Sequence, residues 1–172
     1  MKIFNFYSKN VIDYDFLQKF IFKEVKQIPK LKKVVLTFCL KKYETKHFLI
    51  SLAALKIISD IKFCSIIKSK SSNVTLKIKK GNPIGSKVIL RKARMNLFLF
   101  KLFNLNFSKK KKFHSKNKTS FSFKIYDSLK FSELEQNYQY FKNLPILNIN
   151  IVSNSTKKDL LLFLLKSYKL KR

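Results

Sequence analysis

Only two of the 172 residues are glycine, and both fall in one short stretch, Lys79-Lys-Gly-Asn-Pro-Ile-Gly-Ser86. A chain this poor in glycine must make nearly all its turns with residues that resist left-handed backbone. Gly81 and Gly85, bracketing Asn82-Pro83-Ile84, therefore mark the point of tightest backbone demand. Glycines around a proline allow a sharp reversal, and they let backbone amides approach a phosphate closely. Gly81, Pro83 and Gly85 are read as a structural turn joining two strands.

Around that corner, hydrophobic spacing sets out an alternation of helices and strands. Residues 13–27 carry Phe16, Leu17, Phe20, Ile21 and Val25 at helical intervals, with Ile28 beyond, Asp13 as N-cap and Pro29 as a stop. A strand follows at 31–40 and a helix at 46–60, built on Phe48, Leu49, Leu52, Leu55 and Ile58. Residues 63–67 read as a short strand. Val74, Leu76 and Ile78 alternate with polar residues as in a half-buried strand, and Val88 and Leu90 indicate another after the glycines. A helix is predicted over 91–105, with Met95, Leu99, Leu102 and Phe103 inward.

Phe121, Phe123 and Ile125 alternate again, residues 130–143 fit no single pattern, and 146–152 form a strand with Leu147, Ile149 and Ile151 on one face. Thr156 and Asp159 have the spacing of a capping box for a last helix reaching about Tyr168. The strands come in adjacent pairs. That pattern predicts an α+β fold, an antiparallel sheet with helices packed on one face and protruding basic loops. The length suits a single domain over 1–172, with a basic, irregular insert at about 107–120.

Charge constrains function. Lys and Arg number 38 against 9 Asp and Glu, a formal charge of +29, while 46% hydrophobic residues with 18 Phe argue for a packed core. Such an excess repels itself and is resolved by a polyanion, with nucleic acid ahead of an anionic membrane surface. The palette of Lys, Asn, Ile, Phe, Leu and Ser implies an AT-biased genome, which inflates lysine but does not explain the shortage of acids. The longest clean apolar run, 160–165, is far short of a membrane span. Cys39 and Cys64 have no CxxC partner and read as buried thiols; His47 and His114 lack ligand spacing, so no metal and no cofactor is expected. The acids are scattered, with none of the clustered carboxylates of a metal-dependent nuclease, so an enzyme is not expected.

The extended string KKGNPIGSKVILRKARM closely resembles the signature G-x-P-I-G-x-K-V-T-L-R-G-x-x-M of the family of large-subunit ribosomal protein five, the partner of 5S rRNA. Val25-Lys-Gln-Ile-Pro29-Lys-Leu-Lys-Lys-Val-Val-Leu36 is similar to that family's first strand and its entry. Residues 120–133 are similar to its strand-loop run, ending here in Phe131-Ser132-Glu133-Leu134, and 146–165 to its last strand and closing helix. The chain departs from the family at Thr37, Cys39, Lys92 (where the family has glycine) and Ser132. The lysine run 109–112 replaces a segment usually rich in Pro, Arg and Gly.

The resemblance implies a non-enzymatic structural protein at the central protuberance of the large subunit. The implied partners are 5S rRNA or its replacement, large-subunit rRNA, P-site tRNA and neighbouring ribosomal proteins. Drift and palette together point to an organelle-encoded mitochondrial member, with a relict plastid as the other compartment. By order along the chain, the tRNA-facing loop is Lys68, Ser69, Lys70, Ser71, Ser72 and Asn73.

Candidate rRNA ligands are Lys33, Thr37, Lys41, Lys42, Lys62, Lys79, Lys80, Arg91, Arg94, Lys109, Lys110, Lys111 and Lys112. Cations of this kind bind RNA by displacing condensed counterions, and the serines and asparagine of the loop suit backbone and 2′-hydroxyl contacts. Two other readings compete. A basic DNA-binding or nucleoid protein lacks any zinc-finger, zipper or homeodomain pattern, and a membrane-surface protein is disfavoured because the basic residues are spread over strands, helices and loops alike.

Overall fold

The structure, a computed structural model, describes residues 6–40, 44–105 and 117–168. Its centre is a five-stranded sheet of β1 (Leu31–Cys39), β2 (Ser65–Lys68), β3 (Pro83–Leu90), β4 (Ser120–Ile125) and β5 (Leu147–Ser153) in the order β2-β3-β1-β5-β4. β3 runs antiparallel to both β1 and β2, with Val34 opposite Leu90 and Ser65 opposite Lys87. At the far side, Asn154 N donates to Lys30 O (3.1 Å) and Ser153 N to Thr119 O (2.9 Å). These bonds set the end of β5 beside the starts of β1 and β4, so those pairs are antiparallel too. The α+β antiparallel architecture expected from paired strands is the one observed.

Period-two patterning does its usual work. Val34, Leu36 and Phe38 of β1, Phe121, Phe123 and Ile125 of β4, and Leu147, Ile149 and Ile151 of β5 are buried, while their neighbours face outward. The helices are α1 (Asp13–Lys19), α2 (Thr45–Ser59), α3 (Lys92–Asn104), α4 (Ser132–Glu135), α5 (Tyr138–Phe141) and α6 (Lys158–Ser167). The chain divides into two compact units. One comprises Met1–Lys33, Arg91–Ser122 and Ile151–Arg172; the other comprises Val34–Leu90 and Phe123–Asn150.

In the first unit, Ile12, Phe16, Ile28, Leu160 and Leu164 form a buried cluster surrounded by Tyr7, Phe20, Phe22, Phe163 and Tyr168. The Phe163 ring meets Phe16 edge-on at 4.8 Å. Burial pushes the Tyr168 phenol up to about 12. The helix expected over 13–27 is cut short. The backbone is already helical before Asp13, through a π-turn at Ser8–Ile12, so Asp13 is not an N-cap, and α1 ends at Lys19 with Phe20 extended (φ −133°). A 3-10 turn at Val25–Gln27 is all that remains of the predicted second half. Packing decides this: the extended step brings the Phe20 and Phe22 rings to 5.9 and 6.3 Å from Phe16, leaving Ile21 and Val25 exposed. The capping box at Thr156 does not form either, because α6 is N-capped by Lys157 without a side-chain bond.

In the second unit, α2 packs on β3 through a face containing Phe48, Ala54, Leu55 and Ile58, and α4 and α5 pack against α2. Asp60 ends α2 in left-handed backbone (φ 52°), a C-cap conformation glycine would usually supply. Residues 74–78 are not the strand their alternation predicts. Val74 is 93% exposed and the segment is a turn, since no strand lies alongside it at the tip of the β2–β3 connection. Nor are both cysteines buried: Cys39 is exposed on the sheet, Cys64 is half-buried, and both are free thiols. β1 presents Cys39 on the face opposite Val34, Leu36 and Phe38, away from the packed side of the strand.

Candidate nucleic-acid interface

The glycine corner turns out to hold two different solutions. Gly81 adopts φ +89° with open space around it, so it is needed for its backbone conformation. Gly85 lies within β3, opposite Cys39 on one side and Ile67 on the other. A Cβ there would stand 2.5 Å from the Phe38 carbonyl oxygen, so it is needed for the absence of a side chain. Pro83 opens β3 opposite Lys68, where the ladder shifts register, a position that tolerates a missing N–H. The reversal itself ends at Asn82, and Pro83 and Gly85 belong to the strand.

Between β2 and β3 the chain projects a hairpin held at two levels. At its base Ser69 N donates to Asn82 O (2.9 Å) and Gly81 N to Ser69 O (3.0 Å). Near its tip Asn73 and Ile78 exchange backbone bonds of 2.8 and 3.0 Å. The Asn73 side-chain oxygen accepts from Thr75 Oγ1 (2.6 Å) and from Leu76 N (3.3 Å), the latter a donor that a strand could have used. Lys77 completes the tip in left-handed backbone (φ 54°). Lys68, Lys70, Lys77, Lys79 and Lys80 are all exposed along this projection, with no acid between them. Ser71, Ser72 and Asn73 are exposed too, and Ser69 Oγ donates back to Ser71 O.

The second unit also offers the outward face of its strands. Thr37 lies directly opposite Lys87, which lies opposite Ser65, so the three form a row across β1, β3 and β2. Lys124 of β4 and Asn148 and Asn150 of β5 occupy the outward positions of their strands. The Asn150 Oδ1 is shielded from solvent and has no hydrogen-bond partner among the described residues. Lys62 is exposed in the connection from α2 to β2. In the first unit, Lys33 is half-buried on β1, Arg91 is the exposed N-cap of α3, and Arg94 is exposed in its first turn. Lys92, where the resembled family has glycine, takes left-handed backbone at φ 49°. Lys41, Lys42 and Lys109, Lys110, Lys111 and Lys112 lie outside the described residues.

The structure thus gathers Thr37, Lys62, the hairpin lysines and the hairpin serines into one unit. Reasoning from sequence missed Lys87, Lys124, Asn148 and Asn150. Their signal was available, because each stands one position away from a buried residue in an alternating strand. The outward face and hairpin combine spaced cations with hydroxyl and amide groups, the set that grips a phosphodiester backbone and reads ribose hydroxyls. Among the described residues, no group of three or more His, Cys, Asp or Glu is placed to hold a metal ion, and no helix is long and apolar enough to cross a membrane.

No family model matches the chain. It is, however, similar to individual proteins over most of its length. It is 31% identical over 158 residues to large ribosomal subunit protein uL5 of Borrelia garinii subsp. bavariensis, covering 87% of this chain and 85% of that protein. It is 32% identical over 160 residues to large ribosomal subunit protein uL5m of Reclinomonas americana (88% and 87%). It is likewise 32% identical over 168 residues to uL5c of Cyanidioschyzon merolae (94% and 93%).

Proposed function

The chain belongs to the family of large ribosomal subunit protein uL5, and on that premise we propose that it is a structural, rRNA-binding component of a mitochondrial large ribosomal subunit. As a ribosomal protein it is not an enzyme. It docks on 5S rRNA, or on the RNA that replaces it at the central protuberance, and the β2–β3 hairpin reaches toward the P-site tRNA. The observation that carries this reading is the hairpin itself: an ordered arm bearing five exposed lysines and no acid on a protein of charge +29. An arm closed by backbone bonds at base and tip holds its cations at fixed spacing, which matches them to phosphates with little further loss of chain entropy. Thr37, Lys87 and the exposed cations Lys62, Arg91 and Arg94 supply further contacts, as do Lys33, Lys41, Lys42 and the lysine run 109–112. The mitochondrial compartment rests on the A- and T-codon palette, since the similarity extends to uL5m and uL5c proteins alike.

The test is binding to purified ribosomal RNA across a salt series. Replacing Lys68, Lys70, Lys77, Lys79 and Lys80 together by Ala should weaken binding and reduce the slope of log affinity against log salt by roughly 3.5–4.5, at about 0.7–0.9 for each phosphate no longer neutralised. Lysate fractionation should place the protein with large subunits and release it only at high salt. An unchanged slope would refute the role of the hairpin. Duplex-DNA binding at least as tight as RNA binding at matched salt would replace ribosomal RNA with DNA as the partner.

A further inference from the structure

At the end of the second unit's outward face lies a hollow of about 550 Å³ that the hairpin and the Thr37–Lys87–Ser65 row leave unused. Its walls come from the end of β1, the start of α2, β4, and the 143–146 turn that leads into β5. The volume falls in the range of sites that enclose a small molecule, roughly 300–1,000 Å³. Its lining includes apolar surface from Leu40, Leu144 and Pro145. It also includes two carboxamides, Asn143 and Asn148, and the Lys124 ammonium. None of those three polar side chains has a hydrogen bond or ion pair among the described residues. The one acid in the lining, Glu44, is occupied: its Oε2 lies 3.1 Å from His47 Nε2.

A carboxamide offers one acceptor and two donors, the complement of the edge of a nucleobase. A base inside a helix cannot reach such a hollow, whereas an unpaired one can be splayed out and hydrogen-bonded on its exposed edge. We infer that this hollow receives one unpaired nucleotide of the bound RNA, its base against Leu144 and Pro145, its edge on Asn143 and Asn148, and its phosphate on Lys124. The inference rests on the reading that the protein binds RNA, and it adds a site that distinguishes a looped-out base from a paired one.

Cys39 gives the readout, because its exposed thiol is part of the lining, whereas Cys64 is not. Maleimide alkylation of the full chain is followed at both cysteines, alone and with saturating oligouridine or an RNA duplex of the same length. The expected result is strong slowing at Cys39 by oligouridine, little by the duplex, and no change at Cys64. Asn148→Ala and Asn143→Ala together should weaken oligouridine binding about tenfold and remove the protection. The salt slope should hold, since Lys124 and the other cations are untouched. Asn148→Asp, similar in size, should weaken binding at least as much and guards against misfolding as the cause. If oligouridine binds but Cys39 reacts as fast as in the free protein, or the variants bind as the wild type does, the inference fails and the RNA-binding reading stands. Protection of Cys39 by a neighbouring ribosomal protein in place of RNA would also overturn it. If neither RNA binds, the proposed function falls and the hollow's assignment with it.

Discussion

The phenylalanine cluster of the first unit and the β2–β3 hairpin of the second are stabilised in opposite ways. The cluster has a fully buried Phe16 ringed by Phe20, Phe22 and Phe163, and its backbone gives up a predicted helix to close that packing. The hairpin buries almost nothing: Val74 and Leu76 lie open at its tip, and backbone bonds at Ser69/Gly81/Asn82 and Asn73/Ile78 maintain its shape. Apolar burial contributes the larger free energy per residue, so the cluster serves stability. Hydrogen bonds in water contribute little net but set geometry, which suits an arm whose task is to place charges. This highly basic chain is stabilised by apolar packing in both of its units, and it presents a concentrated part of its charge on a projection that buries little.

Phe16→Ala should have the largest consequence. It should cost about 3–5 kcal/mol, seen as a lower denaturant midpoint, while molecules that remain folded bind RNA with unchanged salt slope. An equal drop in RNA affinity in the folded fraction would mean that the two roles are not separable. Gly85→Ala should follow, at about 1–3 kcal/mol, because the new Cβ meets a carbonyl oxygen within the sheet that cannot move aside. Gly81→Ala meets no atom, so only its backbone conformation opposes it, at about 1–2 kcal/mol. Its effect should be local, read as faster proteolysis of the hairpin with a nearly unchanged melting transition. If the two glycine variants proved equally harmful to global stability, the division between arm and body would be wrong.

The smallest effect runs the other way. Lys92→Gly relieves left-handed backbone at the start of α3 and should raise stability by roughly 0.5–1 kcal/mol, since the strain relieved exceeds the entropy that glycine adds to the unfolded chain. A destabilised variant would show that Lys92 contributes packing or ionic interactions outweighing its strain.

Strands β4 and β5 were legible because each alternates apolar and polar residues, a pattern that follows from strand geometry alone. The same rule misled at Val74, Leu76 and Ile78, where alternation exists but no neighbouring strand does, and the Asn73 side chain captures the Leu76 N–H and the Thr75 hydroxyl. Helix α2 followed its spacing closely, whereas α1 stopped at Lys19 because distant Phe163 made an extended Phe20–Phe22 step the better packing. The candidate interface was legible in kind, as lysines around a glycine corner. The row Thr37–Lys87–Ser65 was not, because register between strands far apart in sequence assembles it.

By itself the sequence determined the charge, the facing of the strands and the location of the tightest backbone corner, since each depends on residue type and on neighbours a few positions away. Tertiary structure alone decided that one of the two glycines answers to φ and the other to a carbonyl across the sheet. It also decided that 74–78 turns and that Asn143 and Asn148 share a hollow with Cys39. These outcomes hang on which long-range partners come within bonding distance, and no local periodicity carries that information.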